Sequence, residues 1–242
     1  MRKRLMTLIL LAPACLWAQA PTDALATATN LTSSFVFGAG TCSGATTIYD
    51  TTHASNQGAE ITAAANGPAT GMSDLIVLAG TDRFVCEVQI EVFTLAAVTP
   101  FDLNMNFYTD CSTNGAAGTP CGNGTGTLIP ASTVTVTGVT PPAIGTIFTV
   151  IFPYPNVDLG GEADNTISVS VNASRSDVFW RINETPTVGS LPAGEPATSF
   201  VERCGSAAAN NGCARNFGVN NNFSILILAN TTPVALQSYS VD

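Results

Sequence analysis

The feature that most constrains the fold of this chain is a repeated alternation of apolar and polar side chains with a period of two residues. In residues 83–93, one face of an extended chain carries Val85, Glu87, Gln89 and Glu91. The opposite face carries five side chains that prefer burial: Phe84, Cys86, Val88, Ile90 and Val92. A segment with this period and one apolar face is predicted to be a half-buried β-strand.

The same pattern returns later in the chain. Residues 101–108 place Asp102, Asn104 and Asn106 on one face, opposite four apolar side chains, Phe101, Leu103, Met105 and Phe107. Further alternating or apolar runs occupy residues 132–139, 147–152, 166–172 and 223–228, with weaker candidates at 34–37, 45–49, 74–79 and 178–181. Clusters of Gly, Asn, Pro and Thr between these runs are typical of turns.

About eight to ten short strands separated by regular turns predict an all-β fold, and we expect an antiparallel β-sandwich of jelly-roll type that is stabilised by disulfides. Helix signals are weak, because the alanine-rich stretches lack a sustained apolar stripe. We assign residues 21–232 to one sandwich domain, with residues 21–69 as its amino-terminal part. Residues 233–242 form a carboxy-terminal tail in this assignment.

The start of the chain has the three parts of a secretory signal peptide. Basic residues at 2–4 precede an apolar run over 5–17 and a small-residue cleavage site at 18–20. We therefore expect residues 1–20 to be removed and the protein to be secreted or held at the cell surface. Removal takes away three of the eight basic residues and no acidic one, so the net charge of −9 becomes −12. So acidic a chain predicts no nucleic-acid partner, and no later apolar run is long enough for a membrane span.

Six cysteines follow the signal peptide, and an exported chain is expected to oxidise them to disulfides. They are Cys42, Cys86, Cys111, Cys121, Cys204 and Cys213. Several pairings are open, but the turn-rich loops 111–121 and 204–213 favour a bridge within each loop, which leaves Cys42 to pair with Cys86. Zinc is the poorer alternative, because the chain has no Cys-x2-Cys pair and one histidine.

Few residues are suited to catalysis. The single histidine, His53, has Asp50 and Ser55 only as sequence neighbours, and no Gly-x-Ser-x-Gly motif surrounds any serine. Glu87 and Glu91 share a strand face, but they lie about 13 Å apart along it, farther than a glycosidase pair requires. We therefore predict that the protein is not an enzyme and that these two glutamates are solvated.

One aromatic and polar group is the candidate ligand site. Trp180 is the sole tryptophan after the signal peptide, and Asp177 and Arg181 lie close to it in sequence. An exposed indole can stack on a sugar ring while polar neighbours bond to its hydroxyls, and Tyr154 extends this platform if the fold brings it near. Because side chains alternate along a strand, either Phe179 or Trp180 faces the core.

Residues 156–165 form the candidate metal loop. Three carboxylates surround two glycines there: Asp158, Glu162 and Asp164. Oxygen ligands on a turning loop suit Ca2+, although the spacing is not that of an EF-hand. A structural calcium ion is the one cofactor we consider, and an ordinary acidic turn is the alternative.

Two motifs in the middle of the chain carry a resemblance. The first is an aspartate-led strand and turn: Asp74, Ile76, Leu78, Gly80 and Arg83. The second passes from a strand ending in Phe-Tyr, through a Gly-Pro turn, to Leu-Ile-Pro: Phe107, Tyr108, Gly118, Pro120, Leu128, Ile129 and Pro130.

Together with the stretch DVFWRIN, these motifs resemble a sandwich domain of unknown function in exported bacterial proteins, often with PEP-CTERM-type sorting tails. The resemblance covers about residues 70–230. It implies a sandwich fold and supplies no catalytic residue. This chain departs from that pattern by framing the turn with Cys111 and Cys121 and by showing no sorting tail after Asp242, which favours secretion.

These observations predict an exported, non-catalytic β-sandwich module with a structural, surface or ligand-binding role. The alternatives are a carbohydrate-binding module using Trp180, a carboxylate-dependent glycoside hydrolase and a self-assembling extracellular subunit. The partners that we expect are a polysaccharide or another surface protein. Long uncovered edge strands would favour the self-assembling subunit, because such edges add strands from other chains.

Overall fold

The computed structural model of the chain describes eleven separate ranges. They are residues 25–30, 36–38, 42–52, 55–61, 72–109, 128–160, 165–183, 185–191, 199–202, 213–216 and 222–231. The predicted signal peptide, the tail at 233–242 and His53 lie outside these ranges.

Within these ranges the secondary structure consists of β-strands, which confirms the all-β prediction. The strands are β1 (Leu25–Thr27), β2 (Val36–Phe37), β3 (Thr46–Asp50), β4 (Gln57–Glu60), β5 (Met72–Val77), β6 (Phe84–Thr94), β7 (Phe101–Thr109), β8 (Val134–Val139), β9 (Phe148–Asp158), β10 (Thr166–Ala173), β11 (Val178–Asn183), β12 (Ser199–Glu202), β13 (Cys213–Asn216), β14 (Asn222–Phe223) and β15 (Ile225–Asn230).

Nine strands form the first sheet, which curls into a half-barrel. Its main path runs β1-β4-β11-β6-β15-β3, β14 pairs with β11, and β9 pairs with both β6 and β2. The long strand β6 is its centre, because β15 and β11 pair along one side of β6 and β9 pairs along the other. The strands β2 and β9 run parallel, whereas the other named strand pairs are antiparallel.

Six strands form the second sheet, in the order β13-β12-β5-β10-β7-β8, and all its pairs are antiparallel. Its inner face meets the inner face of the first sheet across one main hydrophobic core. The alternation of residues 101–108 is confirmed, since its four apolar side chains all lie in this core: Phe101, Leu103, Met105 and Phe107. Full burial of side chains of this size stabilises a fold by roughly 1.5–3 kcal/mol each.

The predicted alternation of β6 is wrong at its start, because the strand contains a β-bulge at Cys86. Glu87 pairs with Leu228 of β15, but the next pair joins Val85 to Ala229, so Cys86 has no residue opposite it. The extra residue shifts the phase of the alternation. Val85 therefore points into the core with Val88, whereas the period of two had placed it on the outer face.

One disulfide is described, and it joins Cys42 to Cys86 with their Cα atoms 5.5 Å apart. This bond confirms the predicted pairing of these two cysteines. It ties the segment before β3 to the bulge of β6. Cys111, Cys121 and Cys204 lie outside the described ranges, and Cys213 lies in β13.

None of the residues that the structure describes belongs to a helix long and apolar enough to cross a membrane.

Candidate functional site

The indole of Trp180 lies in the core between the sheets. Its ring has no exposed surface, and it stacks on Phe223 with the ring centroids 4.2 Å apart. The Nε1–H group donates a hydrogen bond to the carbonyl oxygen of Ser224 at 2.9 Å. Alternation sends its neighbour Phe179 to the outer face, where that ring stacks on Phe93. A sugar ring has no access to this indole, and this argues against a platform built on Trp180.

Tyr154, the second aromatic of the predicted platform, is also a core residue. Its side chain is buried and packs against Phe107, with the ring centroids 5.2 Å apart. Burial raises the pKa of its phenol well above the ordinary value. The two aromatic residues of the predicted site thus contribute to packing between the sheets.

Arg181 lies on the outer face of the first sheet, where it makes a nearly buried ion pair. Its Nη1 atom is 2.8 Å from Oε2 of Glu91, and the two side chains are only 7% and 12% exposed. The hydroxyl of Ser224 donates to the same carboxylate oxygen at 2.6 Å. Nε of Arg181 donates to the carbonyl oxygen of Ser55. This cluster joins β11, β6 and the residue before β15, so Arg181 holds strands together.

The prediction of two solvated glutamates is therefore wrong. Glu91 is held in the ion pair, and Glu87 is 4% exposed. Nε2 of Gln89 donates to Oε1 of Glu87 at 2.7 Å. Neighbouring residues bury the outer face of β6 at these positions. A period of two predicts which way a side chain points, but it does not predict whether that face is buried.

Asp177 is engaged in a loop contact. It has a left-handed backbone, with φ of 68°, and its carboxylate pairs with Arg175 at 2.8 Å. Arg175 also donates to the carbonyl oxygens of Ala97 and Thr99 and lies over the ring of Phe101. This pair fixes the connection between β6 and β7. The structure therefore places Trp180 and Tyr154 in the core and holds Asp177 and Arg181 in two separate ion pairs.

Asp158, the described member of the predicted calcium loop, caps a turn. Its Oδ1 atom accepts the backbone N–H of Gly160 at 2.8 Å. Glu162 and Asp164 lie outside the described ranges, so the calcium loop stays a prediction. Among the residues that the structure describes, no three His, Cys, Asp or Glu side chains are grouped to hold a metal ion.

Asp74, the first residue of the aspartate-led motif, is a fully buried carboxyl on the inner face of the second sheet. It pairs with Val169 in the sheet, and its Oδ2 atom accepts the backbone N–H of Phe223 at 3.0 Å. Burial raises the pKa of this carboxyl to about 8. Burial, with Asp74 and Asp50 nearby, also raises the pKa of Tyr49. Because Phe223 belongs to the first sheet, Asp74 links the two sheets through a hydrogen bond.

Arg83, the last residue of the same motif, closes the turn after β5. Its guanidinium donates to the carbonyl oxygens of Ala79, Gly80 and Asp82 and to Oδ1 of Asn165. Gly80 has a φ of +60°, which favours glycine. The motif therefore has a structural role: Asp74 links the two sheets, and Arg83 stabilises the turn after β5.

The sequence analysis did not predict a polar surface that lies on the outer face of β7 and of the neighbouring residues 133–135. Three hydrogen bonds join four uncharged side chains there. Thr133 Oγ1 donates to Asn106 Oδ1 at 2.7 Å, Asn106 Nδ2 to Asn104 Oδ1 at 2.7 Å, and Asn104 Nδ2 to Thr135 Oγ1 at 2.8 Å. We call these four residues the Asn–Thr ladder.

The Asn–Thr ladder is fixed by these hydrogen bonds and is accessible mainly through its two threonines. Thr133 and Thr135 are exposed, Asn104 is half-buried and Asn106 is buried. At one end, Oδ1 of Asp102 accepts the N–H of Gly138, which ties β7 to β8 again. The sequence signal was two alternating strands, each with a polar outer face. Only strand pairing places those faces side by side.

Comparison with known proteins identifies no relative, because no protein family, curated protein or solved structure matches this chain.

Proposed function

We propose that the protein is an exported, non-catalytic jelly-roll module that binds a neutral polysaccharide through the Asn–Thr ladder. The observation that carries the proposal is the hydrogen-bonded chain that fixes two amides and two hydroxyls on an accessible sheet face. Amides and hydroxyls donate and accept hydrogen bonds, as sugar hydroxyls do. Fixing these groups in advance reduces the entropy that binding costs.

Charge favours a neutral ligand. The whole chain carries a net charge of −9, yet no charged residue lies between Asp110 and Asp158. That interval contains Thr133 and Thr135, and their partners Asn104 and Asn106 are uncharged too. A polymer with hydroxyls and no charge meets these four residues without the desolvation cost of burying ions, and the carboxylate of Asp102 at one end disfavours an anionic ligand.

The strand pairing supports the jelly-roll assignment. Eight strands pair as a nested ribbon: β3 with β15, β5 with β10, β6 with β9, and β7 with β8. Successive pairs fall alternately in the first and the second sheet, and the innermost pair, β7 with β8, lies in the second. Wrapping such a ribbon into two sheets produces the two Greek keys of a jelly roll.

The charged side chains support a non-catalytic role. Arg83, Arg175 and Arg181 each bind two or more groups of their own chain, and Asp158 caps a turn. These groups are used to hold loops and strands. Export is supported by the signal-like first twenty residues and by the disulfide between Cys42 and Cys86.

Affinity electrophoresis tests the proposal. The purified protein is run through native gels that contain cellulose derivatives, xylan, glucans, soluble chitin or galactomannan, and through gels that contain the anionic polymers alginate and pectate. We expect retardation by a neutral polymer and none by the anionic ones. Emission of Trp180 stays unchanged on binding, because the indole is in the core.

Two variants locate the site. Asn104→Ala removes the centre of the Asn–Thr ladder and should weaken retardation by about 2–10-fold, the value of one net hydrogen bond. Thr185→Val changes an exposed threonine far from β7 in sequence and should behave as the wild type. The proposal fails if no neutral polymer retards the wild type, or if Asn104→Ala is retarded as strongly as the wild type.

A further inference from the structure

Among the residues that the structure describes, β8 is the edge strand of the second sheet. On one side it pairs with β7. On its other side, no backbone hydrogen bond joins β8 to any residue in the described ranges. The strand β9 of the first sheet lies near β8 without pairing with it. Such an edge has the hydrogen-bonding groups that a further strand requires.

Charged side chains, one of the usual protections of an edge strand, are absent from β8, whereas its ladder with β7 shifts register between Val136 and Val139. Lysine and other charged residues normally block pairing between edges. Here the interval from Asp110 to Asp158 is free of charge, although the chain as a whole is acidic. The strand β8 itself therefore brings no like charges opposite each other when two copies meet, and the carboxylate of Asp102 that lies against it accepts the N–H of Gly138.

The sequence of the edge is self-complementary. Residues 133–137 read Thr-Val-Thr-Val-Thr, which is the same in both directions. The exposed side chains of Thr133, Thr135 and Thr137 share the outer face, while those of Val134 and Val136 are half-buried against the core. An antiparallel pair of two such strands places like residues opposite one another on both faces.

We propose that β8 pairs with β8 of a second copy, antiparallel, about a two-fold axis at Thr135. In this register Val134 faces Val136 of the second copy, and Thr133 faces Thr137 of the second copy. Threonine pairs and β-branched pairs stabilise neighbouring strands. The two six-stranded sheets become one continuous sheet across the dimer.

The flanking backbone limits the contact to this short stretch. Ala131 has a φ of 60° and Gly138 a φ of 68°, so the chain leaves the strand geometry on both sides of the palindrome. An isologous contact about a two-fold axis uses the same surface on both copies and closes on itself. A dimer is expected, with the weak affinity typical of small interfaces. The dimer does not require polysaccharide binding, although Thr133 and Thr135 belong to both surfaces.

Sedimentation velocity over a concentration series tests the dimer. The wild type should shift from the monomer to the dimer sedimentation coefficient as concentration rises. Added salt should strengthen the association, because it screens the negative charge of both copies. Thr135→Lys places two like charges opposite each other at the axis and should remain a monomer. Thr185→Lys adds the same charge in an exposed loop and should dimerise as the wild type does.

A cross-link checks the register. Thr135→Cys puts two thiols opposite each other at the axis, so mild oxidation should yield a dimer linked through residue 135, as peptide mapping detects. A wild type that stays monomeric at every concentration and salt level overturns the inference, as does a Thr135→Lys variant, folded by circular dichroism, that still dimerises. Asn104→Ala should weaken polysaccharide retardation by about 2–10-fold yet still dimerise, so failure of this inference and failure of the proposed function are distinguishable.

Discussion

The outer faces of the two sheets differ in how they use the same alternating pattern. On the first sheet, the outward position Glu91 is nearly buried and pairs with Arg181. On the second sheet, the outward positions Asn104 and Thr135 are uncharged, bond to each other and remain accessible. Alternation along a strand determines which way a side chain points. Whether an outward side chain then stabilises the fold or remains accessible depends on how far neighbouring residues bury it.

The largest effect should come from breaking the ion pair of the first sheet. Arg181→Ala leaves the carboxylate of Glu91 in a nearly buried site without its cation. Removal of one partner of a buried ion pair typically costs about 3–5 kcal/mol of unfolding free energy. Urea unfolding of the wild type and the variant measures this difference.

The double variant Arg181→Met with Glu91→Leu is the matched control. Replacing both partners of a buried pair with apolar residues is often neutral. We expect this variant to recover most of the lost stability. A loss below about 1 kcal/mol for Arg181→Ala, the value of exposed pairs, would show that the outer face of the first sheet is as accessible as that of the second.

A carboxyl on the inner face should make stability depend on pH. Asp74 has a pKa of about 8 in the folded protein, raised by burial, against about 4 in the unfolded chain. Between these values the folded state holds a proton that the unfolded state has released. Stability from this group is therefore fully present below about pH 4 and is lost as the pH rises toward 8, by about 1.4 kcal/mol per pH unit.

The variant Asp74→Asn isolates this contribution, because an amide is neutral at every pH in this range. We expect its unfolding free energy to fall less steeply than that of the wild type between pH 5 and pH 7, by about 3 kcal/mol over the interval. Thermal or urea unfolding at several pH values gives both curves. Parallel curves would mean that Asp74 is not a buried neutral carboxyl.

A smaller effect is expected for the loop that joins β6 to β7. Arg175→Ala removes the ion pair with Asp177 and the hydrogen bonds to Ala97 and Thr99. Because the pair is 18% and 21% exposed, we expect a loss of about 1 kcal/mol in unfolding free energy. Hydrogen exchange should accelerate in residues 95–99 and stay unchanged in β10. Equal acceleration in both would show a global effect of the substitution.

The smallest effect on stability should come from the Asn–Thr ladder. Asn104→Ala removes exposed or half-buried hydrogen bonds, so its unfolding free energy should change by about 0.5 kcal/mol or less. The same variant is expected to weaken polysaccharide binding, which separates a binding surface from a structural one. A stability loss comparable to that of Arg181→Ala would erase the contrast between the two sheets.

The bulge at Cys86 shows where sequence reasoning loses precision. The pattern of β6 predicts a strand and the directions of Val88, Ile90 and Val92, and all three lie in the core. One inserted residue reverses the direction of Val85, because side chains alternate between faces and an extra residue moves every residue beyond it to the opposite face. The irregularity is visible only from the partner strands, since the ladders of β6 with β15 and with β9 both shift register between Val85 and Glu87.

The predicted ligand site shows the same limit more strongly. Trp180, Tyr154, Asp177 and Arg181 were joined by chemical type, but burial and pairing separate them. The Asn–Thr ladder, in contrast, was present in the sequence as two separate polar faces. Its hydrogen bonds depend on the register that pairs Asn104 with Thr135.

The sequence predicts the all-β character of the chain and the direction of most strand side chains, and it favours the pairing of Cys42 with Cys86 without fixing it. These follow from local periodicity and from cysteine spacing, which are properties of neighbouring residues. The tertiary structure is needed to know which outward residues are buried, where the bulge lies in β6 and which polar strand faces lie side by side. Those outcomes depend on strands far apart in the chain, such as β3 and β15, whose contact no local pattern encodes.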